Sequence, residues 1–103
     1  MTTDKNSHSL VIDIGKTHAK LHVLDTKFNS IFSKQIKNVV ITTGIYPSVD
    51  TDLLWNWLMT SIKEAASQYH SKAINITTHG ATAALIDRHA PNTDGLVLPV
   101  LEY

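Results

Sequence analysis

The chain has 103 residues, with nine Lys and Arg against nine Asp and Glu, six His and no Cys. Such a length gives one domain with a single modest core, and the cancelled charge leaves no electrostatic footprint for duplex nucleic acid or an anionic membrane. The missing cysteines exclude a disulfide framework and thiolate chemistry and fit a cytoplasmic protein, and no apolar run approaches the ~18 residues of a membrane span.

Residues 1–8 are polar, carry Asp4 and lead straight into an apolar stretch, so they are expected to be a disordered start and not a signal or transit peptide. Folded structure is expected from residue 9 to residue 103. Residues 9–14 (Ser-Leu-Val-Ile-Asp-Ile) read as a central strand with both faces buried. Residues 18–25 (His-Ala-Lys-Leu-His-Val-Leu-Asp) alternate polar and apolar with period two, so a second strand follows the first directly.

Between these strands lies Asp13-Ile14-Gly15-Lys16-Thr17-His18-Ala19-Lys20. It sets a carboxylate at a strand end, and a hydroxyl and two ammonium groups around a glycine turn, a grouping suited to a metal-bound polyphosphate. A P-loop shares the letters Gly-Lys-Thr, but it needs a glycine five residues before Gly15 and a helix after Thr17. Position 10 is Leu10 and a strand follows, so that device fails on both spacing and context. The plain structural reading is a hairpin with a glycine for positive φ and lysines for solubility.

Asp25 to Ser30 is rich in turn formers, and an irregular third strand is expected from Ile31 to Thr43, giving an antiparallel meander. Gly44 to Ser48 breaks the pattern, and Ser48, Asp50 and Asp52 supply oxygens for a helix start. Leu54, Leu58, Ile62, Ala65 and Tyr69 then recur at helical spacing, with Trp57 and Ala66 widening the stripe. Trp57 belongs to the packed face, while Trp55 is assigned to a sheet edge or an interface. Ala73 to Thr78 reads as a strand returning parallel to the first, which makes the helix a crossover. His79-Gly80 ends it; Ala84 to Asp87 and Leu96 to Leu101 read as two further short strands around a polar turn. The fold class is α/β: a mixed sheet of about five strands with one long helix, which leaves one sheet face needing cover.

Asp-x-Gly-x-Thr-x-x-Lys on a first hairpin resembles the first phosphate motif of the actin-like ATPase superfamily. Thr78-His79-Gly80-Ala81-Thr82, then Leu85-Ile86-Asp87, then Gly95 to Leu101 resembles the FGGY carbohydrate kinases, most closely their xylulokinase-like and deoxysugar-kinase-like branches. In xylulokinases a Met-His-Gly-Ala-Thr run follows the fourth strand, then a Leu-Leu-Asp strand end and a Pro-Ala-Ile-Leu-Trp segment. The resemblance runs from Leu10 to Tyr103 and implies the opening half of an actin-like ATPase, ribonuclease-H-like domain, acting in the whole protein as an ATP- and Mg²⁺-dependent kinase of a small sugar or polyol. It implies that Asp13 faces the metal, that Gly15, Lys16, Thr17 and Lys20 approach the phosphates, and that His79 and Gly80 lie against the sugar. A neutral imidazole offers one donor and one acceptor to a polyol that has both; the plain alternative is a strand-end histidine satisfied by a neighbouring loop.

Two departures matter. Lys16 stands where many relatives have Thr or Ser. Tyr103 falls where xylulokinases carry the Trp of a Trp-Asn-Asp run, with Glu102 beside it, and the general base and the adenosine-holding domain are expected beyond Tyr103. The chain is therefore expected to be an N-terminal fragment, inactive alone and prone to self-association.

His18 and His22 share a strand face but have no Cys or acidic partner at zinc-site spacing; His8, His70 and His89 fall in tails and loops. Asp13 and Asp87 as a two-metal nuclease pair rest on architectural analogy alone. A non-catalytic interaction module is the remaining alternative.

Overall fold

The computed structural model describes residues 8–80, 82–90 and 94–102. Residues 1–7 of the expected disordered start, Ala81 of the His-Gly-Ala-Thr run, residues 91–93 of the polar turn and Tyr103 lie outside the described residues.

The elements in chain order are β1 (His8–Ile14), β2 (His18–Leu24), β3 (Ser30–Lys37), β4 (Val40–Ile41), β5 (Ser48–Val49), α1 (Thr51–Gln68) and β6 (Ser71–Thr78). The main sheet has the order β3-β2-β1-β6, with β1–β2 and β2–β3 antiparallel and β1–β6 parallel. The meander, the crossover helix and the parallel return are thus as the hydrophobic pattern predicts. The main sheet holds four strands, one short of the expected count. Strand three ends at Lys37, and the rest of its expected span supplies only β4, which pairs with β5 beyond it in a separate two-stranded ribbon. Among the described residues the two short strands expected after residue 83 reduce to isolated bridges, Ile86 with Leu96 and, back to β5, Leu101 with Ser48. At the other end β1 begins at His8, inside the span expected to be disordered.

The β2–β3 connection shows how local chemistry makes a turn. Asp25 Oδ1 accepts from the Lys27 and Asn29 N–H groups, both at 2.9 Å, and Phe28 between them adopts φ 64°. These backbone donors, Asn29 first, hold the Asp25 carboxyl below its ordinary range, against the smaller upward push of desolvation.

Helix α1 starts at Asp50, whose Oδ1 accepts from Leu53 N–H at 3.0 Å, an N-cap arrangement worth about 1 kcal/mol. It stops at Tyr69, whose N–H reaches the Ala65 carbonyl at 2.8 Å and whose ring lies 5.3 Å from His8 and 5.9 Å from Phe32, so the helix end is pinned to β1 and β3.

One sheet face carries the core. Cross-strand partners point the same way, so Leu10 with Val23, Ile12 with Leu21 and Ile14 with Ala19 form matched rows. Leu58 and Ala65 of α1 close over them, with Leu54, Trp57 and Ile62 partly buried around the cluster. Ser61 is also wholly buried there, and its hydroxyl has no hydrogen-bond partner among the described residues, a local cost of about 1–3 kcal/mol. The opposite face carries Ser9, Val11 and Asp13 of β1, so the expectation that both faces of the first strand are buried does not hold: Asp13 is exposed.

The helix lies over β1, β2 and β3, tied to β3 by the Lys34–Glu64 ion pair at 2.6 Å. On β6, Ile74 and Ile76 pair with Leu10 and Ile12 and so belong to the helix-facing side, yet they are 56% and 61% exposed. At 100° per residue, Trp55 and Met59 fall on the flank of α1 opposite Glu64, the flank towards β6, and both are exposed. An open apolar trough therefore runs between α1 and edge strand β6.

Candidate functional site

The β1–β2 turn is closed by Gly15 N–H donating to the His18 carbonyl at 2.9 Å. Among the described residues Gly15 is not one of the positive-φ positions, so left-handed backbone is not the reason for glycine here. Close approach is: a Cβ at Gly15 would stand 3.2 Å from the His18 oxygen. Lys16 and Thr17 at the tip are exposed, and the Thr17 hydroxyl lies 3.1 Å from His18 Nδ1.

β6 ends at this same edge of the sheet. Thr78 is the register partner of Ile14, and His79 N–H donates to the Ile14 carbonyl at 3.1 Å. Parallel pairing thus delivers His79 beside a turn 64 positions earlier in the chain. Residues 97–102 complete the surroundings. Val49 N–H donates to the Val100 carbonyl at 2.8 Å, Glu102 N–H to the Pro47 carbonyl at 3.0 Å, and the Tyr46 hydroxyl to the Pro99 carbonyl at 2.6 Å.

Together these segments line a cavity of about 230 Å³ with Gly15, Lys16, Asn38, His79, Thr82 and Glu102 in its polar lining and Ile14, Val39, Val40 and Leu54 among its apolar walls. Of the expected site residues, Gly15, Lys16 and His79 meet here. Asp13 and Lys20 are cross-strand partners on the opposite face of the sheet, and the turn is the rim between the two faces. Gly80 has open space around it, since a Cβ there would meet nothing within 4 Å.

Sequence reasoning gave no site role to Asn38 or Thr82, both in the polar lining. Asn38 Nδ2 donates to the Gly15 carbonyl at 2.7 Å and to the Lys16 carbonyl at 2.9 Å, while its N–H donates to the Thr17 carbonyl at 2.8 Å. No local pattern links Asn38 to a turn over twenty positions away; only the β2–β3 register, His18 with Lys37, brings it there. Thr82 closes the His-Gly-Ala-Thr run, two residues past Gly80. Glu102 is the one carboxylate in the described lining.

The donor set fits a hard divalent cation carrying phosphates. Asp13 offers one carboxylate at the strand end and Thr17 a hydroxyl at the tip, and Mg²⁺ commonly takes one or two carboxylates while keeping water and phosphate oxygens. His22 Nδ1 lies 3.0 Å from the Ser30 hydroxyl, and among the described residues no group of three or more His, Asp and Glu side chains could itself hold a metal. Asp87 organises its own turn, its Oδ1 accepting from His89 N–H at 2.9 Å. Among the described residues no helix is long and apolar enough to cross a membrane.

No protein-family model and no curated protein matches the chain. Solved structures do match in shape. A carbohydrate kinase from Novosphingobium aromaticivorans superposes with a TM-score of 0.79 at 24% identity, over all of this chain and 20% of its own. A ligand-bound xylulose kinase from Lactobacillus acidophilus gives 0.71 at 15% identity, over 92% of this chain and 19% of its own. Plasmodium falciparum glycerol kinase, solved with ADP, gives 0.61 at 17% identity, over 92% and 20%. The chain therefore has the fold of a part of these sugar kinases, the actin-like ATPase fold, and spans about a fifth of their length.

Proposed function

We propose that these 103 residues are the phosphate-turn and acceptor-side portion of an ATP-dependent kinase of a small sugar or polyol, acting in the cytoplasm. The observation that carries the reading is the meeting of the Gly15–Lys16 turn and His79 at one end of the sheet, in one cavity. The shape of the chain, shared with sugar kinases, supports it.

In this reading the Gly15–Thr17 turn and the ammonium groups of Lys16 and Lys20 orient the polyphosphate, and Asp13 holds the cation on the face away from the core. Bound Mg²⁺ would neutralise charge on the phosphate oxygens, which is most of what phosphoryl transfer needs besides positioning. His79, with Gly80 leaving room, orients an acceptor hydroxyl on the cavity side. The apolar walls from Ile14, Val39, Val40 and Leu54 keep water from that hydroxyl. The base that takes the hydroxyl proton is assigned outside these residues, and Glu102, the carboxylate in the described lining, is given no catalytic role.

The test is kinetic. With Mg·ATP and a panel of pentoses, hexoses and deoxysugars, the 103 residues alone should form no more ADP than buffer. The polypeptide encoded by the complete open reading frame should phosphorylate at least one of the sugars. In that protein Asp13→Asn should lower kcat at least tenfold with the sugar KM nearly unchanged, and His79→Ala should chiefly raise the sugar KM. Sugar-stimulated turnover by the 103 residues, or an Asp13→Asn effect confined to sugar affinity, would contradict the assignment.

A further inference from the structure

The three carbonyl groups of the turn, those of Gly15, Lys16 and Thr17, all accept hydrogen bonds from one residue, Asn38. A carbonyl oxygen carries partial negative charge, so a tip that presented these oxygens outwards would repel a polyphosphate. In a planar trans peptide the C=O of one residue and the N–H of the next point in opposite directions. Drawing the Gly15 and Lys16 carbonyls towards Asn38 therefore directs the Lys16 and Thr17 N–H groups away from it. The side-chain bond to Gly15 is partly buried, where hydrogen bonds are electrostatically stronger than in water.

We propose that Asn38 is the positioning residue of this turn: it fixes which electrical face the tip shows, turning carbonyls inwards and amide N–H groups outwards to an anion. The inference rests on the reading of the turn as a phosphate site. It gives the stretch between β3 and β4 a task that neither strand needs. Asparagine suits that task, since its NH₂ has two hydrogens for two carbonyls. An aspartate at position 38 would set a carboxylate against two carbonyl oxygens and near the incoming anion.

The experiment titrates the ¹⁵N-labelled 103-residue chain with Mg²⁺ and inorganic tripolyphosphate, following the Lys16 and Thr17 amide signals. Asn38→Ala should weaken binding about tenfold, the scale of one or two lost hydrogen bonds, and shift the free-state Lys16 and Thr17 amides. Lys37→Ala, which keeps the clamp, should leave those free-state amides in place. Asn38→Asp should bind more weakly than Asn38→Ala at neutral pH and regain affinity, relative to wild type at each pH, as its carboxyl protonates and becomes a donor. A thermal melt of each variant separates this from unfolding, because a purely structural role would move binding only in step with the melting temperature and would show no such pH dependence. Equal affinities and unchanged turn amides in wild type and Asn38→Ala would overturn the inference alone. A wild-type chain whose turn amides ignore Mg²⁺ and tripolyphosphate would overturn the phosphate reading and the inference with it.

Discussion

Leu21→Ala should destabilise the chain by about 2–5 kcal/mol, the range for deleting a large buried aliphatic side chain. Leu21 is completely buried in the centre of the sheet, partnered across β1 by Ile12 and roofed by α1 through Leu58 and Ala65. The substitution removes a transfer contribution and leaves a void that strands held on both sides by ladders cannot collapse to fill. Stability per domain is only about 5–15 kcal/mol, and a core cluster of six buried residues places this chain near the bottom of that range. Urea unfolding followed by circular dichroism should show a large fall in the midpoint at unchanged slope. A loss under 1 kcal/mol would mean that the sheet–helix contact is not the main source of stability.

The second large effect concerns the trough between α1 and β6. Ile74, Ile76, Trp55 and Met59 leave apolar area in water, and at about 25 cal/mol per Å² a few such side chains amount to several kcal/mol. β6 is also an edge strand, eight residues long and without proline, the kind of edge that pairs with another chain. We expect two copies of this chain to associate through it at micromolar concentration, burying the isoleucines of both. Replacing Ile74 and Ile76 together by lysine should give a monomer in sedimentation velocity, since charges on both helix-side positions of the edge oppose pairing. A wild-type chain that sediments as a monomer at all concentrations and melts cooperatively above roughly 60 °C, beyond most of the mesophile range, would show that the trough is stable in water as it stands.

The hydrophobic pattern made the main elements legible because their side chains answer to one partner surface. Period two in residues 18–24 and the stripe through Leu54, Leu58 and Ala65 both face the same core, so local pattern and tertiary contact agree. The ribbon was not legible. Ser48 reads as helix-start chemistry, and the pairing of Ser48 and Val49 with Ile41 and Val40 and the Val49 bond to Val100 are long-range events with no local mark. The first strand misled in another way: Val11 suggested a second buried face, but alternation puts it beside Asp13 on the polar side. At the cavity, Gly15, Lys16 and His79 could be named in advance because they fall within the two motifs that carry the resemblance. Asn38 could not, because its contact with the turn depends on the long-range register that places the end of β3 beside it.

The central claim is that the Asp13–Lys20 hairpin receives a metal-bound polyphosphate, and amide chemical-shift mapping with Mg·ATP tests it most directly. On the labelled 103-residue chain the largest shifts should fall on Gly15, Lys16 and Thr17, extend to Asp13 and Lys20, and shrink when Mg²⁺ is left out. Shifts that are absent, or that gather around Trp55 and the trough while the hairpin signals stay fixed, would contradict it.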